Sequence, residues 1–155
     1  MRLLLATDGS AYAVRATEFA AKLVEQGAAP EVAVLYVKHM AFPGGGFAWE
    51  PGVELAPDYA ALQEQIDQAC RQAVESAEKR LTAAGAKVST RVQWGRPVDA
   101  ICDVAEKEGY DLVVMGRSGM GHIAGLLLGS VSERVANRGR VPVIIVEKGG
   151  AEKRA

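Results

Sequence analysis

Five glycines fall within residues 116–130, GRSGMGHIAGLLLGS, directly after the apolar run Leu112, Val113, Val114, Met115 and directly before a helix-like stretch. Glycine loses more conformational entropy on folding than any other residue and adds no side chain to a core. Such a density therefore marks a tight turn or a close approach to a bound group. A strand, a glycine-rich loop and a helix N-terminus together make an anion site, because exposed backbone N–H groups and the positive end of the helix dipole converge there. Ser130 and Ser132 add hydroxyl donors at the start of that helix, and Arg117 adds a positive charge.

Known phosphate patterns narrow the chemistry. The P-loop pattern GxxxxGK[ST] needs a lysine for the terminal phosphates, and no lysine lies between Gly116 and Ser132. The dinucleotide fingerprint GxGxxG follows the first strand of its unit, with an acidic residue about 20 positions on. GMGHIAG instead follows the fourth strand with the wrong spacing. What stands is Gly116-x2-Gly119-x9-Gly129-Ser130.

The elements that must position this loop follow from hydrophobic periodicity. Residues 2–7, 31–38, 87–93, 111–115 and 141–147 read as strands, and four of them are nearly continuous apolar runs, as in a parallel sheet covered on both faces. The third, KVSTRVQ, alternates Val88, Thr90 and Val92 with Lys87, Ser89 and Arg91, which predicts an edge strand with one wet face. Helical patterns lie between the strands. The first places Ala16, Phe19, Ala20 and Leu23 on one face, with Ser10 as N-cap and Gly27 as stop. The second runs from near Pro57 to near Gly85. The third opens at Pro97 and ends before Gly109, and the fourth covers residues 130–138.

The order βαβαβαβαβ predicts an α/β fold with an open, doubly wound, five-stranded parallel sheet and right-handed crossovers. Ligands of such sheets bind beyond the carboxyl ends of the strands, where the strand order reverses. With the strands ordered 3-2-1-4-5, strands one and four are neighbours at that point, so Asp8 and the Gly116 loop face each other across one crevice. Asp8 also fits a helix-capping role just before Ser10.

The chain has 155 residues, a formal net charge of −1 and 49% hydrophobic residues. That suits one domain over residues 1–148 with a polar tail at 149–155, and the mixed charges offer no basic face for nucleic acid. Cys70 and Cys102 lie in helical segments without metal-ligand spacing, as expected of buried thiols in a reducing compartment. The apolar run in MRLLLATDGS is too short for a signal sequence, and no window approaches the roughly 18 apolar residues of a membrane span. A cytoplasmic location with no membrane partner is expected. Residues 39–56 form an unusually long connection with Phe42, Phe47 and Trp49, read either as a flap over a ligand or partner or as a plain exposed loop.

The glycine motif, together with LLLATDGS, VAVLYV, GSVSERV and VPVIIV, resembles the universal stress protein family in its nucleotide-binding branch, over almost the whole chain. The resemblance implies a Rossmann-like, adenine nucleotide alpha hydrolase-like fold that binds ATP, with Mg²⁺ held mainly by the phosphates. It places Asp8 by the adenosine and Val37 by the adenine. Met115, Gly116, Arg117, Gly119, Gly129, Ser130, Val131 and Ser132 then line the ribose and phosphate path. It further implies a homodimer built around the last strand, residues 141–146. That strand is apolar on both faces, and an uncovered apolar edge invites pairing, although Pro142 lacks an N–H and limits it near the start.

The catalytic inventory is thin. Neither His39 nor His122 has a nucleophile with a third orienting group beside it, and both read as structural or incidental. Cys102 lies on the apolar face of its helix and reads as core. The third strand ends in VQWG without a phospho-accepting aspartate. Phosphoryl transfer needs a positioned water and a charge clamp, so slow hydrolysis at most is expected. The favoured reading is a nucleotide-dependent regulatory protein of the stress response. The alternatives are a slow ATPase or phosphotransferase completed by a partner protein, and an interaction module that no longer uses nucleotide.

Overall fold

The structure, a computed structural model, describes residues 1–39, 58–117 and 130–147, without the side chains of 58, 59 and 130. Five parallel strands alternate with four helices: β1 (Arg2–Ala6), α1 (Ala11–Glu25), β2 (Glu31–Lys38), α2 (Asp58–Ala83), β3 (Lys87–Trp94), α3 (Pro97–Lys107), β4 (Leu112–Gly116), α4 (Ser130–Arg138) and β5 (Val143–Val146). The strand order is β3-β2-β1-β4-β5, as expected. Among the described residues no helix is long and apolar enough to cross a membrane.

Alternation along the central strands splits the core in two. Leu3, Leu5, Val32, Val34, Leu112 and Val114 face α1 and α2, where Ala16, Ala20, Ala77 and Leu81 meet them. Leu4, Ala6, Ala33, Leu35, Val113 and Met115 face α3 and α4, where Ile101, Ala105 and Val135 close the layer. Burial on both faces explains why these strands read as unbroken apolar runs.

The helix boundaries follow local chemistry. Ser10 caps α1, its Oγ accepting from the Ala13 N–H at 3.2 Å. At the other end Gly27, at φ +76°, lets the chain reverse so that its own N–H reaches Val24 O and the Ala28 N–H reaches Leu23 O. That 5→2 and 6→1 pair needs a left-handed residue, which glycine adopts without strain. α2 ends in the same way around Gly85.

Two expectations need correction. β5 begins at Val143 rather than residue 141, since Pro142 has no N–H to give the ladder, although its carbonyl still accepts from the Val113 N–H at 2.9 Å. β3 is an edge strand, but its apolar face is not buried along its length: Val92 and Trp94 remain 47% and 48% exposed. The cause is the course of α2. Its C-terminal part reaches Val88 through Ala77 and Leu81, whereas its middle, at Cys70, Ala73 and Val74, lies over Tyr36 of β2. Val92, one strand further out, is left uncovered.

Candidate functional site

The turn after β1 is built by three side chains in succession. Thr7 Oγ1 accepts from the Gly9 N–H at 3.3 Å, Asp8 Oδ1 from the Ser10 N–H at 2.9 Å, and Ser10 Oγ from the Ala13 N–H at 3.2 Å. The Thr7 N–H adds a bond to Leu35 O at 3.0 Å, which fixes the turn to the end of β2. The cap of α1 is thus Ser10 and not Asp8, whose carboxylate instead braces the turn before it by holding the Ser10 N–H. Gly9 holds φ +76°, and a Cβ there would stand 3.1 Å from Ala73 Cβ, so α2 packs directly on this turn.

One strand over, β4 ends at Gly116. A Cβ on Gly116 would lie 2.6 Å from the carbonyl carbon of Tyr12, 2.8 Å from its carbonyl oxygen and 2.8 Å from its Cβ. The absent side chain at this motif position is therefore demanded by the first turn of α1, which crosses the end of β4. No local pattern announces this contact, because Tyr12 and Gly116 belong to two elements far apart along the chain.

Arg117 follows, held by its N–H to Val146 O at 2.9 Å. Its carbonyl accepts from Ser132 Oγ at 2.6 Å. Ser132 is only 1% exposed, and its single hydroxyl hydrogen goes to that carbonyl, which ties the first turn of α4 to the end of β4. The guanidinium pairs with Glu147, Nε to Oε1 at 3.6 Å.

Val37, Met115 and Val131 share one apolar cluster with Ala6 and Leu35, on the α3/α4 side of the sheet at its carboxyl end. Asp8, Val37, Met115, Gly116, Arg117, Val131 and Ser132 thus collect around the ends of β1, β2 and β4 and the start of α4. Ser130 opens α4, while Gly119, Gly129 and His122 lie outside the described residues, as do 40–57 of the long connection and the tail from 148.

Several neighbours escaped the sequence reading. Lys38 Nζ meets Asp67 Oδ1 of α2 at 2.6 Å and lies 5.7 Å from the Trp94 ring centroid. Tyr36 is buried beneath Cys70, Ala73 and Val74, and burial, then the charges of Cys70 and Asp8, push its hydroxyl above the usual tyrosine value. Burial likewise raises the Cys70 and Cys102 thiols, with Lys38 and Arg138 respectively pulling the other way. A cleft of about 440 Å³ opens between α1 and α2. Asp8 is the one predicted site residue among its described lining residues, which otherwise include Thr7, Gly9, Thr17 and Arg80. Among the described residues no cluster of His, Cys, Asp and Glu suits a metal ion.

The sheet order and the crossovers, with a switch point between β1 and β4, define a Rossmann-like α/β protein. Residues 1–147 match the universal stress protein family, and the chain belongs to it. It is 31% identical over 147 residues to universal stress protein MJ0531 of Methanocaldococcus jannaschii, covering 95% of this chain and 82% of that one. Among solved structures it resembles hypothetical protein MJ0577, with a TM-score of 0.72, 25% identity and 97% of each chain covered. A universal stress protein solved in complex with cAMP gives a TM-score of 0.63 at 28% identity, over 95% of this chain and 96% of that one.

Proposed function

We propose that this chain binds an adenine nucleotide, ATP with Mg²⁺ in the first place, and acts as a nucleotide-dependent regulatory protein of the stress response. The observation that carries the reading is the meeting of the β1–α1 turn, the end of β4 and the first turn of α4 at one switch point, the last two joined by the Ser132 to Arg117 bond and the first two by the close packing of Tyr12 on Gly116. The residues there suit the ligand. Val37, Met115 and Val131 supply an apolar wall for a base, Asp8 a carboxylate for ribose hydroxyls, and Arg117 with the N-terminus of α4 a positive environment for phosphates. Bound MgATP would supply the polyanionic charge and the scissile γ-phosphate. The chain's own part is to orient the nucleotide and neutralise its charge. The sequence offers no obvious base for the attacking water, so hydrolysis is expected to be slow. The cAMP complex of a relative supports adenine recognition by this fold.

The same proposal includes a homodimer paired along β5. Val143 and Ile145 pack on one core cluster, Ile144 and Val146 on the other, and β5 stands at the edge of the sheet. The decisive experiment is to identify nucleotide released from denatured protein and to titrate stripped protein with MgATP by calorimetry. Saturable binding of one nucleotide per chain is expected, whereas no binding across the millimolar range would overturn the reading. Light scattering should give a dimer mass, and a concentration-independent monomer would remove the β5 interface.

A further inference from the structure

Arg117 is the last described residue before the 118–129 segment of the glycine motif, and it is fixed from three sides. Its N–H donates to Val146 O at 2.9 Å, its carbonyl accepts from Ser132 Oγ at 2.6 Å, and its Nε lies 3.6 Å from Glu147 Oε1. The ion pair follows from the sheet. The parallel register sets Gly116 beside Val146, and one step further along both strands sets Arg117 beside Glu147. The arginine side chain is 24% exposed and the carboxylate 57% exposed, so the cation is partly withdrawn from water while its partner stays wet.

A carboxylate in that place acts on any anion that approaches the arginine. It competes for the same guanidinium donors, and its charge lowers the positive potential felt by a phosphate. We propose that Glu147 is a specificity-determining residue of the nucleotide site: by offsetting the charge of Arg117 it weakens the preference for polyanionic ATP relative to a less charged adenine nucleotide. This inference rests on the nucleotide reading above. The ladder geometry also explains why Glu147, the residue just past the end of β5, pairs with Arg117, and no local pattern around the glycine motif announces it.

The test is a calorimetric comparison of magnesium-free ATP, whose triphosphate keeps its full charge, and AMP on nucleotide-stripped protein, for the wild type, Glu147→Gln, Arg117→Ala and the double variant. Glu147→Gln should raise the ratio of ATP to AMP affinity about two- to fivefold, the range expected of a partly exposed ion pair. The gain should shrink as salt is added and vanish in the Arg117→Ala background. A ratio that is unchanged or falls in Glu147→Gln, or a gain that persists without Arg117, would overturn the role of Glu147 while wild-type ATP binding left the nucleotide reading intact. A wild-type protein that binds neither ATP nor AMP would overturn both.

Discussion

Replacing Gly116 with alanine separates two explanations of a motif glycine. If Gly116 serves only to let a ligand approach the backbone, alanine should leave the free protein as stable as before. The geometry says otherwise: the new methyl would sit 2.6 Å from the Tyr12 carbonyl carbon and 2.8 Å from both its carbonyl oxygen and its Cβ. Two of these three atoms belong to the backbone of α1, whose first turn is fixed by the Ser10 cap and by the Asp8 turn. A rotamer change cannot clear them, so α1 must move away from β4. Overpacking of this kind costs about 1–3 kcal/mol. At roughly 2–4 °C per kcal/mol for a domain of this size, the melting temperature of ligand-free protein should fall by about 2–12 °C. Truncating Tyr12 to alanine should not restore it, because the backbone contacts remain. Thermal unfolding of nucleotide-stripped Gly116→Ala within about 0.5 kcal/mol of the wild type would refute the packing argument and return the glycine to a ligand role alone.

Three further outcomes can be checked directly. Asp8→Asn keeps an oxygen for the Ser10 N–H and should leave the melting temperature within a few degrees of the wild type while calorimetric affinity for MgATP falls; Asp8→Ala should lose both, with the lost turn hydrogen bond costing about 1 kcal/mol. Ser132→Ala should destabilise the fold by about 1–3 kcal/mol in denaturant titration, since it leaves the Arg117 carbonyl without its buried donor, and a change below about 0.3 kcal/mol would show that water replaces the hydroxyl. Burial raises the Cys70 and Cys102 thiols above their ordinary value, so between the unfolded pKa and the higher folded one the unfolded chain has released protons that the native state still holds. Stability should therefore decline as pH rises from about 8.5, and the Cys70→Ala, Cys102→Ala double variant should show a shallower decline.

The features legible in the sequence are those that one element determines by itself. Ser10 caps α1, Pro97 opens α3, and Gly27, Gly85 and Gly109 stop their helices because left-handed backbone at a helix end is a local demand. Nearly continuous apolar runs at residues 2–7, 31–38, 111–115 and 141–147 announce strands of a parallel sheet covered on both faces, and right-handed crossovers then leave few sheet orders to choose from. Illegible were contacts between distant elements. Tyr12 against Gly116, Lys38 with Asp67 and Arg117 with Glu147 depend on where α1, α2 and β5 come to rest against their neighbours. The exposure of Val92 and Trp94 on the other face of β3 belongs to the same class, since the alternation of Val88, Thr90 and Val92 records which side chains share a face and says nothing of whether a helix reaches that far.

The two roles of Asp8, turn brace and ligand contact, need not compete. Its Oδ1 holds the Ser10 N–H, which fixes the rotamer and keeps the carboxylate at the carboxyl end of β1 before anything binds. A group placed this way loses little further side-chain entropy when a ligand arrives. Ser132 follows the same logic at the other rim. Its hydroxyl hydrogen is committed to the Arg117 carbonyl, which ties the end of β4 to the first turn of α4 before anything binds. Gly116 completes the pattern, since the close packing of α1 that forbids a side chain there also sets the distance between the β1 turn and β4. In each case a residue that the motif suggested for ligand contact is used first by the fold. That prior use sets the β1 turn, the end of β4 and the start of α4 relative to one another before any ligand arrives.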